Sequence, residues 1–419
     1  MTISMQWANA LSTRPSLEAA VNEVVSIVQR SLTAPPDLGI VFLSSAFASD
    51  YSRLIPLLQE KMPLPVLIGC GGRGIVGMKA GKQVIEIENS PALSLTVACL
   101  PGVEVHPFRL NADSLPDLDS SPQRWSELLG VSPEKNPHFI LLADAFTPNI
   151  TDLLEGLDYA YPQSIKIGGL ASGGASNQSN LFFDCFSLPR SRFNNFGTIG
   201  VALSGNIQVE TIVAQGCRPI GEPIQVSQGE RNIITEVLVP DEKTNQLKAR
   251  LPLDVIRELV ETLSEKDREL AQHSLFIGIA RDEFKLALQS GDFLIRNLLG
   301  VDPRHGAIAI GDRVRPGQRI QLHLRDAQTS GEDLVFLLEN YHRAKVNSPQ
   351  AIGALLFSCL GRGESLYGKP NFDSELFQRY LTQVPLGGFF CNGEIGPVGN
   401  RTFLHGYTSA FAIFRPISA

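Results

Sequence analysis

One pattern recurs three times along this chain, and it restricts the fold more than any other feature. The first copy runs GIVFLSSAF (Gly39–Phe47), a helix-like stretch from Asp50 to Lys61, then PVLIGCGGRG (Pro65–Gly74). The second runs HFILLADAF (His138–Phe146), a helix-like stretch from Thr151 to Tyr159, then SIKIGGLASGG (Ser164–Gly174). The third runs GALLFSCLGRG (Gly353–Gly363), a helix-like stretch from Phe372 to Leu381, then VPLGGFFCNGEIG (Val384–Gly396). Each copy closes in a Gly-x-x-x-x-Gly loop, from Gly69, Gly168 or Gly388 to Gly74, Gly173 or Gly393. Ser44 to Gly69 and Ala143 to Gly168 both span 25 residues; Ser358 to Gly388 spans 30, because GRGESLYGK is inserted after the third copy's first strand.

The unit reads as strand, helix, strand. An unbroken apolar run such as Ile140-Leu141-Leu142 suits a strand buried on both faces. Asp50, Thr151 and Asp373 stand where a helix N-cap would satisfy orphan N–H groups. A parallel βαβ unit brings both carboxyl ends to one sheet edge, where open α/β sheets usually bind ligands. The loops Ser44-Ser45, Ala143-Asp144 and Ser358-Cys359 are therefore expected beside the glycine loops. The glycines are expected to serve positive φ and close backbone approach.

After the units, ALSLTVACLPGVEVHPFRL (Ala92–Leu110) and GTIGVALSGNIQVETIVAQGC (Gly197–Cys217) break at turn residues and resume alternation, which predicts hairpins. TFLHGYTSAFAIFR (Thr402–Arg415) reads as the matching strands of the third copy. A different block intervenes, with an amphipathic helix at Leu253–Leu263, strands in SLFIGIA and IQLHLRD, and a helix at Asp333–His342. The expectation is an α/β protein of repeated strand-helix-strand units, each followed by hairpin strands, in two pseudo-similar halves. The seam falls at Cys217 to Val226, giving a leading extension or helix over 1–34 and halves at 35–216 and 217–419.

Gly69, Gly71 and Gly74 also spell G-x-G-x-x-G, the dinucleotide fingerprint. That motif must open a crossover helix. Here Gly77 and Gly81 follow at once, and Val84-Ile85-Glu86-Ile87-Glu88 then alternates. The segment predicts strand, loop, strand, and the glycines are assigned to building a pocket.

A net charge of −7 and a pI near 5.6 argue against a broad nucleic-acid surface. No apolar run reaches a membrane span. The start lacks the n- and h-regions of a signal peptide, so the expected compartment is the cytoplasm. The 6 cysteines form no C-x-x-C pair and the 7 histidines no H-x-H or H-E-x-x-H, so no metal or cofactor is expected.

GDFLIRNLLGVDPRHGAIAIGDRVRPGQRIQLHLRDA (Gly291–Ala327), GALLFSCLGRG, GGFFCNGEIGP and FLHGYT resemble the C-terminal FIST domain. VLIGCGGRGI and IGGLASGG resemble the N-terminal FIST domain. The resemblance runs from about residue 35 to 415 and assigns 35–216 and 217–419 to the two domains. It implies sensing of small ligands, with amino acids or their derivatives suggested. The family occurs attached to bacterial signalling modules and, in eukaryotes, behind an F-box. No kinase, methyl-accepting or F-box segment is recognisable here, so a separate signalling protein is the expected output partner.

Cys391-Asn392-Gly393-Glu394 is the densest polar cluster beside a glycine turn. Asn392 and Glu394 suit an ammonium or amide, and they coincide with Arg362 and Tyr367 of the inserted loop; equally, Glu394 could pair with Arg362 or Arg401. Arg73 and Ser172 occupy the same step of their copies as Asn392, and an Arg among backbone donors suits an anion. Ser44, Ser45, Asp144, Cys70, Gly71, Gly173, Cys359 and Cys391 complete the candidate ligand set. The same Ser and Asp residues would serve as turn formers. Two other classes stay open. A thiol enzyme would use Cys359 or Cys391, with His405 as the base named. An adaptor would expose a large apolar patch instead of a polar cleft.

Overall fold

The computed structural model describes residues 4–79, 83–111, 114–174, 180–186, 197–241, 246–288, 290–346 and 348–417. The chain forms two compact units, Met1–Ala214 with Val335–Ala419, and Gln215–Leu334.

Three sheets build the larger unit. The first runs β1 (Gln6–Ser12), β6 (Leu93–Cys99), β2 (Leu38–Ser44), β3 (Val66–Gly72) and β10 (Leu181–Cys185). The second runs β23 (Arg401–His405), β22 (Glu394–Val398), β9 (Lys166–Leu170), β8 (His138–Ala143), β11 (Thr198–Gly205) and β7 (Val103–Leu110). The third runs β12 (Gln208–Ala214), β24 (Ser409–Arg415), β20 (Gly353–Cys359), β21 (Leu386–Cys391), β4 (Ile75–Lys79) and β5 (Gln83–Ile87). Their apolar faces contribute to one shared core that includes Phe42, Ile140, Leu142, Phe357 and Phe389. Phe42 stacks on Phe389 with centroids 4.8 Å apart, a geometry that adds to simple area burial.

Helices cover the other faces. Val21 and Val24 of α1 (Leu17–Ser31) and Leu54 and Leu58 of α2 (Tyr51–Lys61) pack on the first sheet. Trp125 of α3 (Pro122–Leu129) and Leu153 and Leu157 of α4 (Ile150–Ala160) cover the second. The smaller unit is an antiparallel sheet of β13 (Cys217–Glu230), β19 (Arg319–Arg325), β16 (Leu275–Ala280), β17 (Phe293–Asp302), β18 (Ala307–Ile310), β14 (Ile233–Pro240) and β15 (Leu247–Arg250). It carries α5 (Pro252–Thr262) and α6 (Glu265–Ala271), and the chain leaves it inside α7 (Ala327–Ala344). The short α8 (Glu364–Tyr367) and then α9 (Phe372–Tyr380) follow β20, and Phe377 of α9 stacks on Phe411 of the third sheet at 5.2 Å.

β2 and β3, β8 and β9, and β20 and β21 are parallel pairs, with α2, α4 and α9 in the respective connections. Gly69, Gly168 and Gly388 sit at matching registers, opposite Val41, Leu141 and Leu356. A Cβ on each would lie 2.0, 1.8 and 2.0 Å from the carbonyl oxygen of that partner. Close approach is therefore the reason for glycine here. Neither these three nor Gly71, Gly74, Gly173 and Gly393 has positive φ, which corrects that half of the expectation.

Three further expectations change. The caps of α4 and α9 are Asn149 and Asn371, both in the left-handed region, whereas Asp373 lies buried inside α9. The predicted hairpins are not hairpins. β6 pairs with β1 and β2 while β7 pairs with β11, and β11 pairs with β7 and β8 while β12 pairs with β24. Each turn is a corner between sheets, because alternation fixes which face is buried but not which strand lies beside it. Gly102 and Gly205 make these corners at φ 78 and 100, and the Asn206 N–H joins them by donating to the Gly102 carbonyl at 2.9 Å. Finally, the leading segment is more than an extension: β1 pairs along its length with β6.

Candidate functional site

The three glycine loops meet. The Gly71 carbonyl accepts the Ser172 and Gly173 N–H groups at 3.1 and 3.0 Å, and a Cβ on Gly173 would fall 2.5 Å from the Gly71 carbonyl carbon. Ser172 Oγ accepts the Arg73 N–H at 2.9 Å and donates to the Phe390 carbonyl. Phe390 N–H donates to Gly74 at 2.9 Å, and β4 pairs with β21 there. Asn392 donates its backbone N–H to Leu170 and its amide to Ala171, both at 3.0 Å, while Leu170 N–H donates to Gly393 at 2.8 Å. Arg73, Ser172 and Asn392 are thus brought together as struts between loops. Buried backbone groups demand partners, and glycine lets one loop supply them to the next.

A cavity of about 810 Å³ opens beside this junction. Its wall takes Ser44 and Ser45 from the end of β2, Arg73 and Gly74 from the turn between β3 and β4, and Glu88, Asn89 and Ser90 from the end of β5. Leu360, Glu364, Ser365 and Phe390 also line it. Cationic Arg73 and anionic Glu88 and Glu364 therefore line the same cavity as serine hydroxyls. Glu88 Oε1 accepts the Glu364 backbone N–H at 2.8 Å, which fixes the inserted loop against the β5 end. Ser44 Oγ is engaged by the Ala92 N–H at 2.9 Å; Ser45 and Arg73 are exposed.

Other expected residues lie elsewhere. Arg362 is 0% exposed and spends its guanidinium on Asp373, at 2.7 and 3.0 Å, and on the Tyr367 hydroxyl. Burial alone would lower its pKa, but Asp373 and Tyr367 raise it. Its ion-pair partner is Asp373, not Glu394. Glu394 is buried and accepts the Thr408 N–H at 3.1 Å. Asp144 closes an Asx turn onto Phe146 at 3.2 Å.

Cys70 and Cys391 belong to the shared core, and burial pushes both thiols well up, Glu394 adding to the effect at Cys391. Neither supplies a thiolate at neutral pH. Half-exposed Cys359 accepts the Gly361 N–H at 3.4 Å, and His405 directs Nε2 at the Gly396 carbonyl at 3.0 Å.

Sequence reasoning missed Glu88, Asn89, Ser90, Glu364, Ser365 and Phe390 as wall residues. Two signals were available: the Asn-Ser-Pro turn after the alternating Val84–Glu88 run, and the inserted GRGESLYGK, where attention went to Arg362. Among the described residues no group of His, Cys, Asp and Glu could hold a metal ion, and no helix is long and apolar enough to cross a membrane.

Comparison with known proteins adds a lineage. The FIST N domain matches residues 37–237 and the FIST C domain residues 252–397. An uncharacterized protein of Mycobacterium tuberculosis is 33% identical over 417 residues, 98% of this chain and 100% of its own length. An F-box/LRR-repeat protein of Arabidopsis thaliana is 33% identical over 118 residues, 25% of this chain and 22% of that protein. F-box only protein 22 of Homo sapiens is 38% identical over 60 residues, 14% of this chain and 15% of that protein.

Proposed function

This chain belongs to the FIST family, joining a FIST N domain to a FIST C domain, and from that premise we propose that it is a sensory protein whose cavity binds an amino acid or a closely related carboxylate metabolite. One observation carries the reading: Arg73, Glu88 and Glu364 all line one cavity of about 810 Å³. A guanidinium suits a carboxylate and a carboxylate suits an ammonium, so the wall matches a molecule bearing both. The volume lies within the range of roughly 300–1,000 Å³ common for small-ligand sites. The three strand-helix-strand units read as copies of one pocket-building element, and the matching registers of Gly69, Gly168 and Gly388 support this. The protein works in the cytoplasm and passes its state to a separate signalling partner.

The test is a thermal-shift comparison of free amino acids with their decarboxylated amines and deaminated acids. Ligand binding to the native state raises the melting temperature by linkage. Zwitterions are expected to shift it and both truncated series to fail. Equal shifts from a zwitterion and its amine would remove Arg73 from the reading.

A further inference from the structure

Glu86 is a buried carboxyl near the cavity that ligand binding leaves unused. It is 5% exposed, two residues before the wall residue Glu88 on β5. Its Oε1 accepts the Ser374 N–H at 2.8 Å, whereas Oε2 has no hydrogen-bond partner among the described residues. Asp373 has taken the donors instead. Its oxygens receive Arg362 Nε at 2.7 Å, a second guanidinium nitrogen at 3.0 Å, the Tyr367 hydroxyl at 3.0 Å and the Ser409 hydroxyl. Two buried carboxyls thus act on one another, and the Arg362 guanidinium is bound to one of them.

Glu88, the residue just past β5, acts on Glu86, and so does Asp373 of α9. Arg362 of the inserted loop is paired to Asp373, and β4 sets uncharged Val76 opposite Glu86. A buried carboxylate without a cation takes up a proton. Burial first, and Asp373 second, raise the Glu86 pKa to about 8. Asp373 stays below its ordinary value in spite of burial, because Arg362 stands against it. Near neutral pH the cluster therefore keeps one proton, and Glu86 holds it.

We propose that this proton regulates the cavity: protonated Glu86 leaves Arg362 committed to Asp373 and so holds the strap Leu360–Gly368 closed, and release of the proton to water frees the strap. The function of the switch rests on the cavity being the ligand site. The strap connects the two places physically. Its Leu360, Glu364 and Ser365 line the cavity, while its Arg362 and Tyr367 grip Asp373. Gly363 and Gly368, at φ 67 and 65, flank the four-residue α8 and supply hinges. An ionised Glu86 sets a second buried negative charge against Asp373, and the like-charge repulsion falls on the carboxylate that Arg362 and Tyr367 hold.

Hydrogen–deuterium exchange tests this without a ligand. The strap peptide is followed in wild type and in Glu86→Gln at equal pH, from about pH 6 to about pH 9.5, and the ratio of the two rates cancels the intrinsic pH dependence of exchange. The ratio is expected to be level below about pH 7 and to rise severalfold above about pH 8, by at most about one decade per pH unit, the slope of one proton. A ratio that stays level throughout overturns the proposal. Should Glu86→Gln fail to fold, the wild-type strap is normalised to its own β2 peptide; protection unchanged to the top of the pH range overturns the proposal equally. An empty ligand screen leaves this result standing, and a level ratio leaves the ligand reading standing.

Discussion

Two arginines of this protein occupy the same local sequence and do opposite things. Cys70-Gly71-Gly72-Arg73-Gly74 and Cys359-Leu360-Gly361-Arg362-Gly363 share the pattern Cys-x-Gly-Arg-Gly. Arg73 is exposed on the cavity wall, and its backbone N–H donates to Ser172 Oγ. Arg362 is fully buried and bidentate to Asp373. A glycine-flanked arginine announces a turn and a charge. Whether that charge is available or spent is decided by an acceptor eleven residues onward, on a helix whose placement the turn does not encode. On the proposed ligand reading Arg73 serves recognition, while Arg362 serves architecture.

The largest effect should come from breaking the buried member. Arg362→Ala leaves Asp373 buried without its cation, a change that typically costs about 3–5 kcal/mol. Denaturant unfolding should show that loss, whereas Arg73→Ala should stay within about 0.5 kcal/mol of wild type. Equal losses at the two sites would erase the distinction.

Gly168→Ala tests whether close approach demands glycine at the loops. Its Cβ would meet the Leu141 carbonyl oxygen at 1.8 Å, and overpacking of this kind costs roughly 1–3 kcal/mol. Gly300→Ala, where nothing lies within 4 Å of the added atom, is the matched control and should be near neutral.

The buried cluster should also give stability a pH dependence that the cavity side does not. Glu86 has a folded pKa near 8 against an ordinary value of 4.5, so between those limits the folded chain alone holds the proton. Stability then falls as pH rises through that window, by about 1.4 kcal/mol per unit, and levels off above it. Melting curves of wild type and Glu86→Gln should diverge across this window; parallel curves would mean that Glu86 is ionised in the native state.

The same contrast explains what could be read in advance. Local features were legible: the apolar runs that became β2, β8 and β20, the helices between paired strands, and the absence of a helix after Gly74. Partners were not. The Pro101-Gly102 turn looks like a hairpin because alternation is identical whether the next strand returns to the same sheet or enters another. The β1 segment QWANALS gives little strand signal of its own and is held by pairing with β6, 85 or more residues away at Asn9. At the cavity, Ser44, Ser45 and Arg73 were legible because they sit at strand ends. Cys70 and Cys391 were misassigned because they are the last inward residues before those ends, and only the meeting of three sheets buries them.

The central claim is that the free charge at Arg73, and not the spent one at Arg362, meets the ligand. Calorimetric titration of wild type and Arg73→Ala with whichever free amino acid gives the largest thermal shift tests it most directly. Losing one charge-assisted hydrogen bond should cost about 1.5–3 kcal/mol, or one to two decades of affinity. The account predicts that loss in a variant whose unliganded melting temperature matches wild type. An amino acid that binds Arg73→Ala with undiminished affinity, or nucleotides as the only ligands found, would contradict it.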